Sequence, residues 1–265
     1  MSIYELKSIE NNLTHRILCG DSTKISNVAE LLDYHIPVLL LTDPPYGVSY
    51  DPSWRDEDLN ACNRPKQKIE NDDIYSWAEV WQSFPGQIAY IWHAAKHTVD
   101  VAQSLNLADY EIINQIIWAK QHFAISRGNY HWQHEPCWYA RRKGKGHNWQ
   151  GSRKESTLWT IPNLAHPNFG GSTTEDCRTN HPTQKPLELM MRPILNNSDI
   201  GEGVYDPFAG SFTTLIACEM LQRRFFGLEI DPDYCHIGIE RWVNYMSKNH
   251  KSFTITHNGK ILQSN

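Results

Sequence analysis

The sequence predicts an α/β fold, a mostly parallel sheet flanked by helices, with an inserted segment of different texture. Three observations predict it. Short apolar runs bounded by turn residues alternate with stretches of helical spacing through residues 15–118. The run Val38-Leu39-Leu40-Leu41 passes directly into Thr42-Asp43-Pro44-Pro45-Tyr46, so a buried strand ends on a stiff polar turn. Residues 204–231 read as strand, glycine-bearing turn, helix, strand and acidic residue, the order of a nucleoside-binding βαβ unit.

Composition sets the outer limits. A chain of 265 residues, 40% hydrophobic, can bury the core of one α/β domain with insertions. Its net charge of −5 excludes a surface that is basic throughout, so any nucleic-acid contact has to come from a local patch. The six cysteines, Cys19, Cys62, Cys137, Cys177, Cys218 and Cys235, form no C-x-x-C and no zinc-like pairing. That pattern implies no metal centre and the reduced thiols of a cytoplasmic protein. No window approaches the roughly 18 apolar residues of a membrane span, and residues 1–5 lack the basic and apolar regions of a signal peptide. A soluble, cytoplasmic protein with no membrane partner is the expectation.

Taken in order, residues 15–20 form a strand ending at Gly20-Asp21-Ser22, a helix follows over 24–34, and 38–41 is the next strand. Ligands of such units lie beyond the carboxyl ends of the strands, so Asp21 and Asp43 should face one crevice. Pro44 and Pro45 each push the residue before them out of the helical region, which holds Asp43 and Pro44 extended. Neither proline has an N–H, so the Asp43 carboxylate and the two carbonyls form a cluster of acceptors that wants a donor. An amino group on a planar heterocycle fits it, with Tyr46 as a face for the ring. A carboxylate-capped Pro-Pro turn is the other reading these residues allow. The polar stretch 51–72 is longer than a usual connection and reads as a lid or binding loop.

Helical spacing covers 73–84 and 94–107, and strands are expected over 87–92 and 111–118. From Arg127 the texture changes. Residues 127–154 interleave aromatics with seven basic residues, Arg127, Arg141, Arg142, Lys143, Lys145, Arg153 and Lys154, against one acidic residue, Glu135. Basic side chains among aromatics in an otherwise acidic chain point to a nucleic-acid face. After a link at 170–174 come His181-Pro182-Thr183-Gln184-Lys185-Pro186, an apolar helix over 187–195, and the turn Asp206-Pro207-Phe208-Ala209-Gly210-Ser211-Phe212-Thr213-Thr214. A helix over 214–222 and a strand over 225–230 complete this unit. Of the dinucleotide pattern G-x-G-x-x-G only Gly210 is present, so a phosphate cradle is poorly supported. A nucleoside with an amino-acid tail, S-adenosylmethionine, suits the turn better, and Glu229, 19 residues after Gly210, stands where a carboxylate takes ribose hydroxyls.

With Asp43–Tyr46 early, His181–Pro186 and Asp206–Thr214 late, and a basic aromatic segment between them, the sequence resembles the β-order amino-group-specific DNA methyltransferases. The resemblance implies a Rossmann-like S-adenosylmethionine-dependent fold. Its catalytic half would span 1–126, a target-recognition segment 127–180 and the cofactor half 181–265. It implies that Asp43 and the Pro44 carbonyl accept hydrogen bonds from the target amino group and that Tyr46, after Pro45, stacks on a flipped base. Asp206, Phe208, Ala209, Gly210, Ser211 and Thr213 would form the cofactor turn. Glu229, with Asp231 as second candidate, would hold the ribose, Asp21 the adenine amino group, and Lys185 would lie near the methionine end. DNA is the implied partner and a homodimer is allowed. The aspartate of D-P-P-Y leans towards adenine N6, with cytosine N4 as the alternative. The family usually has glycine where this chain has Phe212, so either the turn differs or the phenyl points away. A decayed cofactor site on a DNA-binding module is the reading of another class.

Overall fold

Residues 39–42 are buried on both sides, which only a strand in the middle of a covered sheet achieves. The computed structural model describes residues 2–45, 76–124, 129–162 and 184–264. The strands are β1 (Ser2–Ser8), β2 (Leu13–Cys19), β3 (Leu39–Thr42), β4 (Ile88–Trp92), β5 (Tyr110–Ala124), β6 (Trp132–Arg142), β7 (Leu158–Thr160), β8 (Gly203–Asp206), β9 (Arg224–Glu229), β10 (Phe253–His257) and β11 (Lys260–Ser264). They form one sheet in the order β11-β10-β1-β2-β9-β8-β3-β4-β6-β5-β7. The helices are α1 (Ile25–Leu32), α2 (Ala78–Ser83), α3 (Thr98–Leu107), α4 (Leu187–Asn197), α5 (Thr213–Leu221) and α6 (Pro232–Lys248).

The five strands β2-β9-β8-β3-β4 are mutually parallel, so their carboxyl ends share one edge of the sheet. Strands β1, β10 and β11 extend one side antiparallel, and β6 and β5 extend the other. Successive residues of β3 point to opposite faces. Leu39 and Leu41 join a core with Leu187, Met190, Leu215 and Trp242 of α4, α5 and α6. Leu40 joins a core with Val28, Trp81 and Leu105 of α1, α2 and α3. The expected α/β sandwich is therefore present, with both faces covered.

Several elements differ from expectation. The helix expected over 94–107 divides into a 3-10 turn, Ala95–His97, and α3. The strand expected over 111–118 runs from Tyr110 to Ala124. Within the basic aromatic stretch, 132–142 is β6, an interior strand between β4 and β5, because Cys137, Tyr139 and Ala140 are buried there. The boundary expected at 126/127 thus falls between two strands of the same sheet. The ends of the chain, unassigned by pattern, supply β1, α6, β10 and β11.

A buried carboxylate ties these ends to the cofactor half. Glu219 of α5 accepts hydrogen bonds from Ser8 Oγ (3.0 Å), Asn11 Nδ2 (3.0 Å), Trp242 Nε1 (3.3 Å) and Lys251 Nζ (3.2 Å), and lies 2.9 Å from His15 Nε2. His15 Nδ1 accepts the Phe225 N–H, so Nε2 carries the proton and donates to Glu219. Burial opposes ionisation of Glu219, but His15 and Lys251 overcome it and hold its pKa down at about 2. A depressed carboxyl contributes stability above its unfolded pKa of about 4.3 and loses it as pH falls towards 2. Glu219→Gln should cost about 3 kcal/mol or more at pH 7 in urea unfolding, and should flatten the loss of stability between pH 5 and about 2.

Candidate active site

The site lies at the common carboxyl edge of the parallel strands. β3 delivers Asp43, and β8, its direct neighbour, delivers Asp206. Thr42 Oγ1 donates to Asp206 Oδ1 at 2.7 Å, joining two turns 164 residues apart in the chain. The other oxygen, Oδ2, accepts from Thr214 Oγ1 at 2.7 Å, and the Phe208 N–H donates to Oδ1 at 3.2 Å. Burial pushes Asp206 up to about 6 against the pull of these donors. Asp206 therefore organises the turn from behind. Pro44 is buried and Pro45 partly so, while Tyr46 and the 51–72 loop lie outside the described residues.

Glu229 ends β9, next to β8. Its carboxylate accepts the Gly210 N–H at 2.8 Å and the Asp231 N–H at 3.0 Å. Burial raises it to about 7 in spite of both donors. Gly210 has φ +50, a left-handed conformation that favours glycine and turns its N–H to Glu229. Asp231, the second candidate, instead caps α6 by accepting the Asp233 N–H at 2.8 Å. Asp21 follows β2, which pairs with β9, and accepts from the Thr23 N–H (2.9 Å) and Thr23 Oγ1 (2.7 Å). Ser211 and Thr213 are buried behind the turn, where Arg241 of α6 donates to the Ser211 carbonyl (2.8 Å) and to Thr213 Oγ1 (3.0 Å). Asp21, Glu229, the 206–213 turn and Asp43 thus stand in spatial sequence along one edge.

Phe212 keeps the left-handed backbone that glycine usually supplies, φ 58 and ψ 33, and caps α5. Its phenyl ring is fully buried and points away from the crevice, 6.0 Å from the Phe225 ring. Gly238 of α6 makes room for it: a Cβ there would lie 2.1 Å from the ring. The turn takes its left-handed step at Phe212 and the ring is part of the core.

Lys185, expected near the methionine end, lies against Asp43. Its ammonium is 2.5 Å from Asp43 Oδ2 and 3.1 Å from Glu135 Oε2. Glu135 also pairs with Lys120, which lies 4.7 Å over the Trp118 ring. Burial alone would lower the Lys185 pKa, but Asp43 and Glu135 overcome this and raise it. Burial likewise works against a charged Glu135, and Lys185 and Lys120 still draw it down to about 2. Lys185 and Glu135 are thus both held charged. Sequence reasoning passed over Glu135 and Lys120. The available signal was that Glu135 is the single acidic residue of a basic stretch.

The register sets the Arg141–Lys145 run, expected as part of a DNA face, away from the Asp43 edge. β6 runs antiparallel to β4, so Arg142 meets Gln87 at the opposite edge of the sheet, about 15 Å from the carboxyl ends. Arg142 is also committed to the frame, donating to the carbonyls of Phe84, Gly86 and Ala108 and lying 4.7 Å from the Tyr110 ring. Arg141 pairs with Glu111, and Lys143 stands 3.5 Å from Asp109. Lys145 is exposed near the same edge, Arg153 and Lys154 are exposed in the crossing to β7, and Arg127 lies outside the described residues. The other end of the β5–β6 hairpin projects past the Asp43 edge. It carries exposed Tyr130 and Trp132, the stacked pair Phe123–His131 (4.9 Å) and the Trp132–His134 contact (5.4 Å).

Comparison with known proteins agrees with this arrangement. A family model described as DNA methylase, N6_N4_Mtase, matches residues 38–240. The chain is 25% identical over 224 residues to the type II methyltransferase M2.MboI of Moraxella bovis, covering 77% of this chain and 80% of that one. It is 36% identical over 100 residues to the DNA adenine methyltransferase YhdJ of Escherichia coli K12, covering 38% and 32%. The solved M1.HpyAVI–SAM complex shares the fold, with a TM-score of 0.60 at 21% identity over 85% of this chain and 98% of that one.

Phe212→Gly removes a left-handed phenylalanine, a relief of about 1 kcal/mol, and empties a core site worth about 3–5 kcal/mol. Urea unfolding should show a net loss of about 2–4 kcal/mol, while calorimetry should show S-adenosylmethionine affinity changed by less than about threefold.

Proposed function

The chain belongs to the amino-group-specific (N6/N4) DNA methylase family, and from that premise we propose that it methylates adenine N6 at specific sites in DNA, with Asp43 as the acceptor that holds the target amino group. The observation that carries this reading is the bond from Thr42 to Asp206, which sets the acceptor turn beside the cofactor turn. S-adenosylmethionine, the family's methyl donor, supplies an electrophilic methyl group on a sulfonium. The residues fit it: the ends of β2, β9 and β8 offer Asp21, Glu229 and a single glycine turn, a set suited to hydroxyls, an amino group and a cation rather than to a phosphate.

The chain's own contribution is positional and electrostatic. Asp43 and the Pro44 carbonyl accept the N–H groups of the target, which orients the nitrogen lone pair for in-line attack. Positive charge grows on that nitrogen as it reacts, and the Asp43 carboxylate stabilises it from a place already set by the two prolines. Tyr46 offers the base a stacking face. A paired base cannot reach this turn, so duplex DNA has to give it up by flipping, at a cost of a few kcal/mol.

Adenine is favoured by the aspartate at the head of the motif and by the likeness to a relative named as an adenine methyltransferase. The projecting end of the β5–β6 hairpin, with Phe123, Tyr130, His131 and Trp132, stands where it would meet DNA held against Asp43. Within the expected target-recognition segment 127–180, recognition is assigned to this end of the hairpin. The free thiols of Cys19, Cys137, Cys218 and Cys235 support a reducing, cytoplasmic setting.

Three outcomes test the proposal. Expression in a methylation-free host followed by modified-base sequencing should yield N6-methyladenine at one recurring site; N4-methylcytosine there would overturn the choice of base. Asp43→Ala should lose about 10²–10³-fold or more in turnover and retain calorimetric binding of S-adenosylmethionine; near-normal turnover would refute the mechanism. Replacing His131 and Trp132 with Ala should raise the KM for DNA at least about tenfold, whereas Lys143→Ala with Lys145→Ala should leave both the KM and its salt dependence unchanged.

A further inference from the structure

The ion pair between Lys185 and Asp43 poses an electrostatic problem. An ammonium 2.5 Å from Asp43 Oδ2 steadies that carboxylate, yet it also cancels the charge the carboxylate is meant to offer a cationic nitrogen. Asp43 and Lys185 alone sum to zero. Glu135 Oε2, 3.1 Å from the same ammonium, brings the three to −1. Lys120 closes the chain on the side of Glu135 away from Lys185 and rests on Trp118. With Lys120 the four sum to zero, but the signs alternate along the chain, with the negative end at Asp43 and the positive end at Lys120.

The fold builds this arrangement from four separated segments. Glu135 lies opposite Trp118 of β5 and two residues before Cys137, so it shares the sheet face of Cys137 and Tyr139. That is the face covered by α4, and Lys185 enters two residues before α4 begins. The Lys185 side chain is 6% exposed, the Glu135 side chain 20%. A lysine so enclosed has a single geometry when two carboxylates grip it and a freer one when only Asp43 does.

We propose that Glu135 is a positioning residue for methyl transfer, holding Lys185 against Asp43 and balancing its charge so that Asp43 keeps its negative character towards the reacting nitrogen. Glu135 touches neither the base nor the methyl donor in this scheme; it acts through Lys185. The inference rests on Asp43 as the acceptor of the target amino group, as proposed above.

The test is single-turnover methyl transfer from labelled S-adenosylmethionine to DNA, normalised to the cofactor-binding fraction so that partial unfolding does not read as slow chemistry. Glu135→Gln keeps the shape and removes the charge. Its rate should fall about tenfold to a hundredfold, with the KM for DNA and for S-adenosylmethionine changed less than about threefold. Glu135→Asp, which restores the charge, should recover most of that loss. In a Lys185→Met background the Glu135→Gln change should add little, because the ammonium it balances is gone. A Glu135→Gln rate within twofold of the parent would overturn the proposal. So would a loss confined to KM, a Glu135→Asp variant as slow as Glu135→Gln, or losses that multiply in the double variant. If Asp43→Ala is inactive while Glu135→Gln is normal, this inference fails and the role of Asp43 stands.

Discussion

One hydrogen bond sets the geometry on which the rest depends: Thr42 Oγ1 to Asp206 Oδ1, 2.7 Å long and buried between β3 and β8. Asp206 shares its carboxylate among Thr42, Thr214 and the Phe208 N–H, so the end of the acceptor strand, the start of the cofactor turn and the first turn of α5 meet on one group. Its raised pKa is the cost of that placement, since a carboxylate with no cation beside it among the described residues is expensive to bury. The gain is registry. Parallel pairing of β3 with β8 fixes the two strand ends to within a residue, and the side-chain bond removes the remaining play.

The site was legible in the sequence where chemistry and chain order coincide. The apolar runs ending in Asp43-Pro44 and in Asp206-Pro207 each place a polar turn directly after a buried strand, and the structure sets both at the sheet edge. Glu229 was singled out by its spacing from Gly210, and the structure joins the two by a hydrogen bond, which is a statement of proximity and not of ribose binding. What stayed hidden depends on pairing between distant segments. Trp132 to Arg142 reads locally as a basic aromatic surface, and it becomes an interior strand only because β4 and β5 flank it. Arg142 reads as a phosphate contact until its carbonyl partners, 34 to 58 residues away, come into view. Charge on a strand says little about which end of a sheet it occupies; the direction of the strand decides that.

Phe212 shows how a departure from a family pattern can be absorbed by the core behind a turn. Position 212 needs a left-handed backbone, at a cost of about 1 kcal/mol for a residue with a Cβ. Full burial of a phenyl ring contributes about 1.5–3 kcal/mol, enough to offset it. The compensation sits in α6, where Gly238 leaves space for the ring. The strain is therefore answered behind the turn, in the core, and the crevice side keeps its shape. This removes the one feature of the sequence that favoured a decayed cofactor site.

The charges around Asp43 follow a related logic of indirect support. A carboxylate that must stabilise a nascent cation gains nothing from being fully neutralised in advance, yet an unpaired carboxylate at a half-buried strand end would be disordered or protonated. Pairing it with Lys185 answers the second problem and creates the first. A further carboxylate on the far side of the lysine answers both, because it draws the ammonium's charge away from Asp43 without adding a group to the crevice. The same reasoning explains why the outermost member is a lysine resting on a tryptophan ring. Lys120 keeps Glu135 ionised, and as the member furthest along the chain from Asp43 it offsets least of the charge that matters there.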